Sequence, residues 1–545
     1  MLRCTDDRNA VRRLWQRTVR CGVDVQCCCR LLVCVSSGCG APQAPPEFAG
    51  IAETLDQQAR QGVTPENNAA ARLSEVVELY ADSFRVRLRE RLEFHRRAGV
   101  PAAGPETPRL RNFSEYERDF RELDRLLRAI DVRFNVPELF PRFFDQNLPT
   151  SGAPTNVDSF PWTAEQHPAV AAWLRSQEPV LEVIRDAAGR SHWYLPVIAS
   201  KGSGGVSPEL YRSPSQGDLL DVFTILRTAA MLRLGEEQVQ AAWTELGTLL
   251  RLSRLLQSAP DAVFTTGLMM EGLATDQCQA LLSLPGLSES DIDGFLRDLQ
   301  ALPAPGDPLL HADRYGRPVM LELLEYLRRD EKFRLKFLTD SFLGNRDGDR
   351  GLEQILREQP DIDWDAVARR VNEEYDRGQQ LFQSGDIPRA MQSIRQAADR
   401  WEKLLGQAKA SLETGKSGSR ETVTEYVTLS LLVKGPPWID VLEFLALAAK
   451  IRQSLLQTSC WLRKYQLRTG DWPENLVAVE QLFGCRLPPD PVVGRPLNYR
   501  RSGAVVRLYS VGENGIDDGG VRESDDRFFL LPFSTARPPL LPRGQ

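Results

Sequence analysis

Apolar residues return every three or four positions along most of this chain, and only near its end does the spacing shorten to alternation. From about Phe48 to Leu299 the helical spacing is broken at Pro101-Ala-Ala-Gly-Pro105, Ser151-Gly-Ala-Pro154 and Lys201-Gly-Ser-Gly-Gly205, each of which reads as a joint between helical units. Thr64-Pro65-Glu66 reads as a helix start, with Thr64 as cap and Pro65 in the first turn, and the pattern runs on through Leu73, Val76, Val77 and Tyr80. Trp162 to Leu174 repeats it, with Thr163 as cap and Val170, Trp173 and Leu174 on one face. Gly235 separates two amphipathic stretches between Met231 and Leu256, as a helical hairpin requires. A second, more charged helical section lies between Leu302-Pro-Ala-Pro-Gly306 and Gly435-Pro-Pro437, with a short link at Thr414 to Ser419.

The carboxy-terminal part changes character. Phe444, Ala448, Ile451, Leu455, Leu462 and Tyr465 form one stripe of a long helix over Ile439 to Arg468. Gly470 stands where a left-handed cap is expected, and Pro473 opens a short turn towards Leu476 and Leu482. Arg495 to Arg500, Ala504 to Ser510 and Arg527 to Leu531 then read as three strands of a small antiparallel sheet. The expected fold is mainly α: a multi-helical body with helical hairpins, followed by a small α+β module of one long helix and three strands. The expected divisions are a leader or disordered segment over 1–46, helical domains over 47–300 and 301–436, the α+β module over 437–535, and a disordered tail over 536–545.

Composition narrows the function classes. The 545 residues carry a formal charge of -6, with Arg and Glu intermixed, so no basic stripe exists to neutralise a phosphate backbone and nucleic acid is excluded as an expected partner. No run of about 18 uninterrupted apolar residues offers a spanning helix. Of the ten cysteines, Cys4, Cys21, Cys27, Cys28, Cys29, Cys34 and Cys39 all precede residue 40. Arginines up to Arg30, the apolar Leu31-Leu-Val-Cys-Val35 and then Ser36-Ser-Gly-Cys39 follow the order of a bacterial lipoprotein export signal, which this segment resembles. The resemblance implies export to the cell envelope and a lipid on Cys39. Two departures stand against it, Ser36 in place of a Leu-like residue and Arg30 shortening the apolar run, so a Cys-rich extension without a targeting role stays open.

Two motif sets in the body carry resemblances of their own. Gly378, Leu381, Gly385, Ala390, Ile394 and Ala397, within Glu374 to Leu405, resemble a single tetratricopeptide unit, without its first-helix Trp or closing Pro. The Thr64 block, the Trp162 block and Leu226 to Gly235 together resemble a group of large uncharacterised exported bacterial proteins, to which no activity attaches.

Near the end, Tyr465, Gly470, Trp472-Pro473, Asp490-Pro491, Gly494, Pro496, Tyr499 and Tyr509-Ser510-Val511-Gly512 come in a fixed order. That order resembles the globular head of type II secretion pseudopilins. The resemblance implies a long helix packed on a three-stranded sheet, and calcium in the loop after the second strand, where Glu513, Asn514, Asp517, Asp518, Asp525 and Asp526 supply oxygen atoms. A solvated acidic turn is the other reading of that loop. Pseudopilins begin with an apolar filament helix, whereas here the module follows a long body and its helix carries Lys450, Arg452, Arg463 and Lys464, so it is not expected to assemble as a pilin subunit.

Catalytic signals are sparse. His95 lies in a basic run and His167 beside a helix start, while His192, in Ser191-His-Trp-Tyr194, and His311, in Leu310-His-Ala-Asp313, sit among polar and aromatic groups that better suit a site. No nucleophile elbow, zinc-protease motif, phosphate loop or dinucleotide fingerprint occurs. Asn345 to Gly351 lacks the glycine and the glutamate of a calcium hand and reads as an exposed turn. Cys460 and Cys485 read as buried free thiols, with a disulfide between them open in an exported domain. The expected function is that of a noncatalytic envelope scaffold with protein partners and membrane attachment through Cys39. The alternatives are an exported hydrolase-like enzyme and an accessory factor of a secretion apparatus.

Overall fold

The computed structural model describes residues 56–77, 108–116, 118, 157–196, 198–199, 211–212, 216–259, 263–339, 354, 356–357, 361–413, 419–434, 438–520 and 527–532. The leader with Cys39, His95, the three Pro/Gly joints, the 345–351 turn, Asp525, Asp526 and the 536–545 tail lie outside the described residues. The architecture is mainly α with a small carboxy-terminal α+β module, as the hydrophobic periodicity implies.

Helix α1 (Ala69–Leu73) is capped by Asn68 and not by Thr64. The Asn68 side chain accepts from Ala70 N at 3.1 Å and from Tyr194 N at 3.0 Å and donates to the Tyr194 carbonyl at 3.0 Å, so one buried amide both starts a helix and holds a remote segment. Thr64 instead closes a preceding turn with Asn67. Further along, α2 (Pro168–Ser176) and α3 (Glu178–Ala188) lead through two short antiparallel strands, β1 (Ile198–Ala199) and β2 (Tyr211–Arg212), to α4 (Gln216–Gly235), α5 (Val239–Leu256), α6 (Val263–Leu282) and α7 (Glu289–Gln300). Ser288 and Asp291 form a capping box at the start of α7, satisfying two backbone donors reciprocally. At the α4 turn, a Cβ on Gly235 would lie 1.9 Å from the Trp162 carbonyl oxygen, so glycine is required there for close backbone approach.

The charged middle section comprises α8 (Pro308–His311), a π turn over Ala312–Gly316, α9 (Arg317–Arg329), α10 (Glu331–Thr339), α11 (Trp364–Gln383), α12 (Ile387–Glu413) and α13 (Arg420–Lys434). α11 and α12 form a helical hairpin at the tetratricopeptide-like stretch, turning at Gly385 with φ of +75°. Its apolar interior, from Met320 to Leu431, forms a second core.

α14 (Trp438–Thr469) is the long helix anticipated from the apolar stripe, ending at Gly470 with φ of +83°. After α15 (Leu476–Phe483) come β3 (Asn498–Ser502), β4 (Val505–Ser510) and β5 (Arg527–Leu531), antiparallel in the order β3-β4-β5. β3 starts later than the residue pattern implied, because the Arg495 carbonyl is taken by Asp490 N at 2.7 Å and Pro496 has no N–H for the ladder. The pairs Val506↔Leu531 and Leu508↔Phe529 put four buried apolar side chains on one face. That face belongs to the main core, which runs from Ala69 through Leu299 and continues through Leu447 to Leu531.

Candidate functional site

Two sets of hydrogen bonds tie the sheet to its surroundings, one from the turn after α14 to β3 and the β3–β4 turn, the other from the turn before β3 to the far end of β4. The Trp472 indole donates to the Ala504 carbonyl at 2.9 Å, and the Tyr499 hydroxyl to the Pro473 carbonyl at 2.7 Å. Burial pushes the Tyr499 phenol up to about 12, so it stays a donor across the neutral range. Arg501 takes both oxygens of Asp471, at 2.7 and 2.6 Å, and this bond holds the Asp471 carboxyl below the ordinary aspartate range. Asp490 is the centre of the second set: its carboxylate, 1 % exposed, accepts from Val492 N and Ser510 Oγ at 2.9 Å and from Val511 N at 3.1 Å. One acidic side chain thereby joins the Asp-Pro turn to the end of β4.

The acidic loop after β4 is held by partners from two directions. Glu513 pairs with Arg395 of α12, and Gly515 lies against Pro388 of the same helix. Asp517 accepts from the Tyr509 hydroxyl at 3.0 Å and from Gly519 N at 2.8 Å, with Arg500 at 3.9 Å. Asn514 accepts from Ile516 N at 2.6 Å, and Asp518 is exposed. Gly512, Gly515, Gly519 and Gly520 all have positive φ, which permits the tight course. Glu513 and Asp517 face different cations, so they do not converge on one point in this arrangement, and among the described residues no group of three His, Cys, Asp or Glu side chains is gathered as a metal cluster.

The histidines separate. His167 packs edge-on against Trp162, with centroids 5.6 Å apart. His192 bridges through its backbone, donating to Asn67 O at 3.0 Å and accepting from Ala69 N at 2.8 Å, while its ring Nδ1 lies 2.8 Å from Ser191 Oγ. His311 is buried, stacked on Phe264 at 4.2 Å and beside Tyr315 at 5.4 Å. Burial drives its imidazole down to about 4, which keeps it neutral and makes it a weak base at neutral pH.

Two polar features escaped the residue pattern. Arg254 and Glu271, each 2 % exposed, pair at 2.6 Å between α5 and α6. Gln257 donates to Glu271 at 2.6 Å and Arg254 to Gln453 of α14 at 2.9 Å, so the network ties the module's helix to the body. The only trace of the pair in the sequence is a charge, Arg254 or Glu271, set among apolar residues of α5 and α6. The thiols Cys278, Cys460 and Cys485 are free. Burial raises all three, and Cys278 is raised further by Cys460.

Comparison with protein-family models, curated proteins and solved structures finds no match to this chain. Among the described residues, no helix is long and apolar enough to cross a membrane.

Proposed function

We propose that the chain is a noncatalytic scaffold or interaction protein of the bacterial cell envelope, in which a pseudopilin-like head is built into a helical body instead of a filament. The observation that carries this reading is the use made of α14. In a filament subunit the corresponding helix must pack on copies of itself, whereas here Arg452 pairs with Asp276 at 3.1 Å and Lys464 with Asp293 at 2.5 Å. Arg463 donates to the Leu284 carbonyl at 2.9 Å, and Arg468 pairs with Glu289. The charges of Arg452, Arg463, Lys464 and Arg468, which would be costly inside a filament, point at partners in α6, α7 and the turn between them, while Lys450 is exposed. The head is thus held against the body along this charged face of α14.

Sedimentation of the full-length protein, alone and mixed with purified pseudopilins, is expected to give particles of discrete size. Filaments containing the chain would sink the proposal. The lipid on Cys39 belongs to the same reading: Cys39→Ala should move the protein from the membrane to the soluble fraction, and unchanged partitioning removes the anchor. Calcium in the acidic loop would have to draw Glu513 from Arg395 or Asp517 from Tyr509. Added calcium should then raise Tm of the full chain, with no rise in the Asp517→Ala, Asp518→Ala double variant. A role beside a secretion apparatus predicts co-purification with its pseudopilins.

The hydrolase-like reading draws on one contact, Ser191 Oγ to His192 Nδ1 at 2.8 Å. Covalent labelling of Ser191 by a fluorophosphonate, lost in Ser191→Ala, would favour it over the scaffold.

A further inference from the structure

α9 carries a glutamate in the wrong place for a charge. Val319, Met320, Leu323, Leu324, Tyr326 and Leu327 bury the helix, and Glu322 is buried among them at 2 % exposure. Among the described residues, neither Oε1 nor Oε2 of Glu322 has a hydrogen-bond partner. Among the described side chains, the paired charged groups of the elements packed on α9 are directed elsewhere. On the π turn and α9 itself, Arg317 pairs with Asp313 at 3.0 Å and reaches Asp376 at 2.7 Å, Glu325 faces Arg328 and Arg329, and Arg314 is exposed. From α10, Arg334 donates to the carbonyls of Leu327 and Arg328, and Glu331 and Lys332 are exposed. From α11, Glu374 takes Arg370 at 2.8 Å and Arg377 at 3.6 Å, while the Tyr375 ring lies under Arg317.

An ionised carboxylate cannot persist in such a place without a cation or donors, whereas the neutral acid costs far less. We propose that Glu322 is a pH-sensitive element: the middle helical section folds around its neutral acid form, and ionisation loosens the packing of α9 on α11. Burial alone pushes the Glu322 carboxyl from the ordinary 4.5 up to about 8. Below the unfolded value both states hold the proton and Glu322 adds no pH dependence. Between that value and about 8 only the folded state holds it, so stability falls as pH rises, by about tenfold in the unfolding equilibrium per pH unit. Above the folded value the loss is complete and the slope vanishes.

The test compares the full-length protein with Glu322→Gln, which keeps the shape and cannot ionise. Backbone hydrogen exchange over 317–329, corrected for the intrinsic pH dependence, should accelerate in the wild type between pH 6 and 8 by about tenfold per unit and stay flat in the variant. Equal acceleration in both overturns the proposal. Should the variant fold poorly, the side-chain carboxyl carbon of Glu322 can be titrated by NMR in the unaltered protein. A midpoint near the ordinary glutamate value overturns it equally, and a midpoint well above neutrality supports it.

Discussion

At the scale of single residues, the carboxy-terminal signature is a set of structural bonds, and its weight rests on Asp490. Asp490→Ala leaves Val492 N, Ser510 Oγ and Val511 N without their acceptor inside the protein. A loss of about 2–3 kcal/mol in urea unfolding is expected, because buried donors lose a charged partner without regaining water. A change below about 0.5 kcal/mol would show that the turn finds other acceptors. The thiols give a second check at this scale. Cys278 and Cys460 are fully buried, Cys460 is pushed up to about 12, and Cys485 is half-buried. Iodoacetamide applied to the folded protein should therefore alkylate Cys485 well before the other two, as peptide mass spectrometry can resolve.

At the scale of elements, two joints decide how helices meet. Gly235 ends α4 against the Trp162 backbone, where a methyl group would overlap the carbonyl. Gly235→Ala should cost about 1–3 kcal/mol through forced separation of the two segments, read as a lower midpoint in chemical unfolding with an unchanged slope. The polar network between α5, α6 and α14 makes a sharper prediction. Removing either partner alone, Arg254→Met or Glu271→Leu, strands the other and should cost about 3–5 kcal/mol. The double variant Arg254→Met, Glu271→Leu should be less destabilised than the sum of its parts, since no unpaired charge remains. Simple additivity would mean that the pair is already screened by water. The Lys464–Asp293 contact, whose acid is half-exposed, should contribute at most about 1 kcal/mol by comparison.

At the scale of the whole molecule, the module and the body share one interior. Leu455, Leu462 and Trp472 of the module lie in the same cluster as Leu252, Leu281 and Phe295, and β5 reaches α6, with Leu530 N donating to Gln279 at 3.2 Å. A fragment comprising 437–535 should consequently lack a cooperative thermal transition and expose apolar surface to dye, because the body supplies packing for α14. Cooperative unfolding of that fragment would show that the sheet face of α14 suffices. What the sequence determined alone was local. The period of apolar residues set the helices of both sections, Gly385 and Gly470 marked where chains turn, and alternation after Gly503 set the strands, since backbone geometry depends on near neighbours. The start of α1 at Asn68 and the late start of β3 were not legible there, because each is decided by a hydrogen bond to a distant or bent segment. The same holds for the candidate sites. The order of Gly, Pro and aromatic residues near the end could be read from the chain, but the bonds that Asp490 makes to Ser510 and Val511, the pairing of Glu513 with Arg395, and the burial of Arg254, Glu271 and Glu322 required the packed structure. Whether a charge lies in water or in the interior depends on which surfaces meet across hundreds of residues, and a pattern of near neighbours carries no record of that.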